Sequence, residues 1–250
     1  MRTKTGMLLM ILSSMVAPAA AQDAKSLLQA ADKAIGANAV NSVQYSGTGF
    51  MGAVGQSFAT EGAGSDWPRT DFKSYSATID YASKSSKEEH VRVQGSNVGR
   101  GGGFVPLQGE VRTTNFVSDA SAWNLNQQGQ PNPQPGAAQV RQLLIWASPH
   151  GFIKAAQQAA NATIEDRYYV RQDRTQKVVG FTTMGKYRLT GEFNKDNLLE
   201  RVVTWIPDPV LGDMLVEIRY SVYRDVGNGA KLPLPDSRPS GRQSPGAGRP

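Results

Sequence analysis

The chain has 250 residues, of which 39% are hydrophobic and 19% are charged, so it can bury a core and is neither wholly disordered nor collagen-like. It contains no cysteine, which excludes disulfide frameworks, thiolate metal sites, thiol nucleophiles and a lipid-modified N-terminal cysteine. Because His90 and His150 are its only histidines, one copy cannot assemble a multi-histidine metal centre.

The first 21 residues have the pattern of a secretory signal peptide. Arg2 and Lys4 form a charged start, residues 7–16 form an apolar run, and three alanines ending at Ala21 give a small-residue cleavage site. We therefore expect cleavage between Ala21 and Gln22 and a periplasmic or secreted protein, with an uncleaved anchor as the alternative. No later stretch is apolar for long enough to cross a bilayer, so no transmembrane segment is expected after cleavage.

The C-terminal end is rich in proline, glycine and arginine from about residue 231, and we predict that residues 235–250 form a disordered tail. GC-rich coding DNA that is translated in a shifted reading frame often gives the same composition, so a frameshift is a second hypothesis for this tail. The net charge is +6; the first 21 residues carry +2 and the last 20 carry +3, which leaves about +1 for residues 22–230. A folded body with so little net charge argues against a nucleic-acid partner.

Hydrophobic periodicity predicts the secondary structure of residues 22–230. A helix is expected at 23–35, with Asp23 as its N-cap and Gly36 at its end. An exposed loop is expected at 127–136, followed by two helices at 137–147 and 149–160. Ser148 is the expected N-cap of the second helix, and Pro149 is its first residue. Period-two patterns predict strands at 43–50, 54–59, 72–82, 88–94, 111–118, 122–126, 163–171, 177–183, 186–193, 198–206 and 214–224.

These elements predict an α+β fold, in which an N-terminal helix and a mid-chain helical pair accompany a long antiparallel sheet. A sheet of about eleven strands is expected to curl around the helices as a half-barrel rather than stay flat. No repeat is visible, so residues 22–234 are expected to form one domain.

The glycine-rich motifs do not meet the requirements of nucleotide binding. The residues from Gly47 to Gly52 match G-x-G-x-x-G, but an extended, glycine-broken stretch follows them where a helix would have to begin. Glycines in a bent strand explain this pattern better. Residues 99–104 lack the Lys-Ser/Thr of a P-loop and are expected to form a hairpin loop, and no G-x-S-x-G nucleophile motif occurs.

The titratable residues suggest structural roles. His150 lies in the first turn of a helix, where packing or capping is expected, and the alternation around His90 predicts a solvent-facing side chain. Glu88 and Glu89 point to opposite faces of their strand and cannot act as a pair. We therefore identify no catalytic, cofactor-binding or metal-binding residue, although an unrecognised carboxylate enzyme stays an alternative.

Aromatic residues offer one positive indication of a binding site. A curled sheet that carries large aromatic side chains can enclose an apolar cavity for a lipid or another apolar ligand. A packed core with aromatic bulk is the alternative. The residues expected to line such a cavity are Tyr75, Tyr81, Trp123, Trp205 and Tyr220.

Four stretches carry a resemblance to a known family: residues 42–49, 67–81, 148–156 and 197–213. They resemble the N-terminal region of exported bacterial metallo-β-lactamase-fold (MBL-fold) hydrolases, and the resemblance covers about residues 22–234. The order of a helix followed by an antiparallel sheet is also similar to the periplasmic lipoprotein-carrier fold, a likeness of architecture alone.

The sequence departs from that family at the chemistry, because the H-x-H-x-D-H metal cluster of the MBL fold is absent. The resemblance therefore implies an exported, non-catalytic accessory domain without cofactor or zinc, whose partner is a separately encoded catalytic domain. The alternative is a free-standing periplasmic carrier that binds a lipid or other apolar ligand.

Overall fold

The structure is a computed structural model that describes residues 19–52, 68–96, 106–170, 173–208 and 212–234. These residues form three α-helices and thirteen strands. The helices are α1 (Ala19–Ile35), α2 (Ala138–Ala147) and α3 (Pro149–Gln158). The strands are β1 (Ser42–Gly52), β2 (Arg69–Asp80), β3 (Ser85–Gln94), β4 (Val111–Ser118), β5 (Ser121–Leu125), β6 (Pro131–Pro133), β7 (Thr163–Tyr169), β8 (Arg174–Thr183), β9 (Tyr187–Phe193), β10 (Leu199–Asp208), β11 (Gly212–Arg219), β12 (Ser221–Gly227) and β13 (Ala230–Leu234).

All strand pairs are antiparallel, and most strands pair with their neighbours in the chain. The first sheet runs in the order β1-β2-β3-β4-β5-β6, the second in the order β11-β10-β9-β8-β7, and β12 pairs with β13 in a small third sheet. Neither large sheet closes on itself. The predicted α+β class, with an N-terminal helix, a mid-chain helical pair and curled antiparallel sheet, is confirmed.

Most predicted elements are found within a few residues of their expected ends. Helix α1 begins at Ala19, so Asp23 lies inside the helix rather than at its N-cap, because the preceding alanines are strong helix formers. The predicted cleavage point between Ala21 and Gln22 falls in the first turn of α1, and cleavage stays a prediction. Within the predicted loop at 127–136, Pro131–Pro133 forms a short edge strand. Residues 1–18, 54–59, 99–104 and 235–250 lie outside the described residues.

The predicted strand at 214–224 is wrong as a single element, because it divides at Tyr220. The Tyr220 backbone N–H donates to the carbonyl of Glu200, and its hydroxyl donates to the carbonyl of Ala147. Val222 has a φ of 49°, which breaks the register of β12. The alternation shifts at this break, because Val222 is 64% exposed whereas Tyr223 packs against the main cluster.

The proline-rich end of the chain is more ordered at its start than its composition suggests. Residues 230–234 form β13, which pairs with β12. The connecting turn places the carbonyl of Gly229 against Gly36 at the end of α1, where an added Cβ would lie 2.5 Å from that oxygen. Gly36 also has a φ of 68°, so this helix end requires glycine on two grounds.

Side chains fill the space between the helices and the second sheet. Phe152 of α3 lies 5.1 Å from the ring of Phe181 and 6.0 Å from that of Phe193, with tilted rings. All three residues are fully buried. Gly191 on β9 leaves room for Phe152, because a Cβ there would lie 2.4 Å from that ring. A smaller cluster on the first sheet contains Val43, Ile79, Tyr81, Val117, Ala122, Ala138 and Ile145.

The junction between α2 and α3 confirms the predicted N-cap. Ser148 has an extended backbone, its Oγ accepts a hydrogen bond from the N–H of Gly151, and Pro149 occupies the first helical position. The same hydroxyl donates to the carbonyl of Ile145 at 2.6 Å, at the end of α2. This serine therefore ends one helix and begins the next.

Candidate functional site

Two of the five aromatic residues chosen from the sequence lie away from the other three. Trp205 on β10 is 53% exposed. Trp123 stacks on Phe116 at 5.2 Å, on the face of the first sheet opposite to its buried residues Val117 and Ala122. Neither tryptophan lies in the packed cluster of its sheet, because each occupies the outward position in its strand's alternation.

The remaining three, Tyr75, Tyr81 and Tyr220, are grouped around Tyr45 of β1. The charge of a Tyr45 phenolate would raise the pKa of each of the three, which places their hydroxyls in one region. Tyr45 is 42% exposed, yet burial is the largest cause of its own raised pKa. The ring is therefore partly covered by its neighbours, and the sequence analysis did not include Tyr45 among the candidate residues.

Two tyrosines of this group, Tyr81 and Tyr220, form hydrogen bonds at the junction between α2 and α3. The hydroxyl of Tyr81 lies 3.0 Å from the Ser148 hydroxyl, and the hydroxyl of Tyr220 donates to the carbonyl of Ala147 at 2.8 Å. Burial raises the pKa of both tyrosines, so both remain protonated donors at neutral pH. Their geometry indicates a structural role.

The other two tyrosines, Tyr45 on β1 and Tyr75 on β2, form a row of rings with His90 on β3. The Tyr45 and Tyr75 rings stack at 6.1 Å, and the Tyr75 ring is nearly parallel to His90 at 6.4 Å. His90 Nδ1 lies 3.2 Å from a carboxylate oxygen of Glu88. The prediction that His90 faces solvent is wrong, since its side chain is only 9% exposed. Cross-strand pairing with Tyr75 buries it, which alternation within one strand could not reveal.

Arg141 of α2 joins this polar part of the first sheet to the helices. Its guanidinium donates to the backbone carbonyls of Phe116 and Trp123 and to the side-chain amide oxygen of Asn124. Burial lowers its pKa, while the charge of Glu88 raises it. An arginine with this many fixed partners holds α2 on the sheet and leaves few donors for a ligand.

His150 is fully buried, as the packing interpretation predicted. Neither ring nitrogen has a hydrogen-bond partner among the described residues, and the ring lies 6.4 Å from that of Tyr81. Burial lowers the pKa of His150 to about 4, Lys154 lowers it further, and the backbone of Ile35 and the charge of Asp32 oppose the shift in part. His150 is therefore a neutral core residue at pH 7.

A recess of about 630 Å³ lies beneath the tips of three hairpins, and we call it the hairpin-tip recess. Hairpin turns at Lys84, Asp119 and Met184 form its rim, and α2 and α3 form its floor. None of the five aromatic residues predicted from sequence lines it. Its lining includes Lys84, Asp119, Gln139, Gln142, Trp146 and Met184.

The polar groups of the hairpin-tip recess are held in place by the surrounding backbone. Gln142 donates to the carbonyl of Lys84 at 2.5 Å. Gln139 accepts hydrogen bonds from Lys186 at 2.7 Å and from the hydroxyl of Tyr187 at 3.1 Å. Among the described residues that line this recess, Asp119 is the one carboxylate, it stands at the rim, and no histidine occurs.

No group of three or more histidine, aspartate or glutamate side chains that could hold a metal ion occurs in the described ranges. Across the same part of the chain, no helix has the length and apolar character needed to cross a membrane.

Two comparisons with known proteins found no match. No protein-family model matches the chain, and no curated protein matches it.

Proposed function

We propose that this chain is an exported, non-catalytic accessory domain similar to the N-terminal region of MBL-fold hydrolases. In this proposal the domain acts in the periplasm or outside the cell and supports a separately encoded catalytic domain. The observation that carries the proposal is the filled interior, in which Phe152, Phe181 and Phe193 pack edge to face. A filled interior suits a rigid support, whereas a carrier needs open apolar volume.

The segments that resemble the hydrolase family supply core residues of this fold. Ile79 of β2 belongs to the first-sheet cluster, while Ile153 of α3 and Val202 of β10 belong to the main cluster. These segments therefore contribute to the framework of this fold, as the proposal of a scaffold similar to that of the family requires.

The first experiment measures metal content and partner binding of the full chain purified after export. We expect substoichiometric zinc after dialysis, no hydrolysis of a chromogenic β-lactam, and co-elution with a separately produced MBL-fold catalytic domain from the same genome. An unrelated exported protein of similar size serves as the control for co-elution.

Tightly held zinc at one ion per chain would contradict the non-catalytic part of the proposal. Separate elution of the two proteins, together with unchanged thermal stability of the catalytic domain on mixing, would contradict its accessory part.

The second candidate function is that of a periplasmic carrier for a lipid or other apolar ligand. The observation that favours it is the hairpin-tip recess, whose floor contains the indole of Trp146 and the side chains of Ala155 and Ala159. This site lies outside the filled interior, so the two functions do not compete for the same space. Titration with an amphiphile whose tail quenches tryptophan tests it.

A further inference from the structure

Part of the floor of the hairpin-tip recess is apolar, although Gln139 and Gln142 also line it. Trp146 packs against both hydrophobic clusters, so its indole is fixed from behind while one side lines the recess. Ala155 and Ala159 extend this surface along α3, and Met184, 38% exposed, covers one end. A flat aromatic ring, small side chains and a flexible thioether form a surface suited to an alkyl chain.

The rim of the recess has a positive excess. The ammonium of Lys84 and the carboxylate of Asp119 make no ion pair within the described part of the chain. The ammonium of Lys186 donates to the side-chain oxygen of Gln139 at 2.7 Å, and Gln139 lines the recess. Two ammonium groups against one carboxylate favour an anionic group at the rim.

We propose that the hairpin-tip recess binds a single-chain amphiphile with an anionic head group, whose chain lies on Trp146 and whose head group is held at Lys84. This site deepens the carrier function and rests on it, and it is independent of the accessory function. A volume of about 630 Å³ lies within the range of about 300–1,000 Å³ that is usual for small-molecule sites.

The experiment uses ω-bromododecanoic acid, whose bromine quenches a tryptophan that its chain contacts. The neutral probe ω-bromododecanol and the cationic ω-bromododecyltrimethylammonium have the same chain and a different head. We expect the acid to bind about two- to fivefold more tightly than the alcohol, as for an exposed ion pair, and the cation to bind most weakly. Shortening the chain should weaken binding by up to about fourfold per methylene.

Two substitutions at the rim should shift the affinity for the acid in opposite directions. Lys84 and Asp119 have φ angles of 52° and 46°, and asparagine tolerates such angles. Lys84→Asn should therefore weaken binding about two- to fivefold and Asp119→Asn should strengthen it, with both turns kept. Lys177→Gln removes a distant lysine that is paired with Asp166 and should leave the affinity unchanged.

The location is tested by replacing two of the four tryptophans, one at a time. Trp146→Phe should abolish the quenching of the protein by the acid, whereas Trp205→Phe should leave it, because Trp205 lies on β10 and does not line the recess.

Equal affinities for acid and alcohol would overturn the head-group assignment while the carrier function stands. Quenching that persists in Trp146→Phe, or no binding of any probe, would overturn the site. If no probe binds at all, the carrier function fails as well. Co-elution with a catalytic domain tests the accessory function separately.

Discussion

At the scale of single residues, the buried imidazole of His150 is a group whose ionisation is coupled to folding. It is fully buried, and its ring nitrogens have no hydrogen-bond partner among the described residues. A charged imidazolium in that place would lose its hydration, and the backbone of Ile35 and the charge of Asp32 would offset that loss only in part. The folded state therefore holds the neutral form down to a pKa of about 4, whereas an unfolded histidine titrates near 6.5.

Acidification from near pH 7 to near pH 5 should lower the free energy of unfolding by about 2 kcal/mol through His150 alone. The unfolded chain binds a proton in this window and the folded chain does not, so stability is present above about pH 6.5 and is lost as the pH falls towards 4. Urea unfolding at several pH values measures the effect. His150→Leu should remove this part of the pH dependence and His90→Gln should retain it; an unchanged profile in His150→Leu would contradict the assignment.

At the scale of elements, the corner between α2 and α3 depends on close approach of backbone to backbone. A Cβ on Gly151 would lie 2.1 Å from the carbonyl oxygen of Ile145 and 2.8 Å from the Ser148 hydroxyl. The same corner holds the hydroxyls of Tyr81 and Tyr220. Tyr81 follows a strand of the first sheet and Tyr220 follows a strand of the second, so contacts from both sheets meet at this short turn. The turn has no room for a side chain at position 151.

Gly151→Ala should destabilise the protein by about 1–3 kcal/mol or more, because the neighbour that must shift is backbone. Gly136→Ala is the matched control, since nothing lies within 4 Å of a Cβ there, and it should be neutral or slightly stabilising. Thermal unfolding followed by circular dichroism compares the two. Equal melting temperatures for the two variants would show that the corner can open without cost.

At the scale of the whole molecule, the helices connect two hydrophobic clusters. The main cluster lies between α1, α3 and the second sheet, and the smaller one lies between α2 and the first sheet. Trp146 packs against both. The turn before β13 adds a further contact, where Gly229 meets Gly36 at the end of α1.

We expect residues 22–234 to unfold as one cooperative unit, because a side chain shared by two clusters couples their stability. Urea unfolding followed by far-ultraviolet circular dichroism and by tryptophan fluorescence should give coincident transitions. Trp146→Ala should lower the midpoint of both signals together. Two separated transitions in the unsubstituted chain would show that the sheets fold independently and would divide the predicted domain.

The individual elements could be predicted because their signals are local. The Ser148-Pro149 cap and the period-two pattern from Tyr75 to Tyr81 depend on neighbours in sequence, and both are found in the structure. The break at Tyr220 could not be predicted in this way, because it depends on acceptors at Glu200 and Ala147.

The sequence by itself determined the fold class and the framework of this protein, because hydrophobic period and capping residues act over a few positions. Only the tertiary structure decided which side chains come together at a surface that can bind a ligand. It separated Trp123 and Trp205 from the tyrosines, buried His90 beside Tyr75, and formed a recess from hairpin turns that are distant in sequence. The physical reason is that a site consists of side chains from several elements, and strand register and helix packing set their distances.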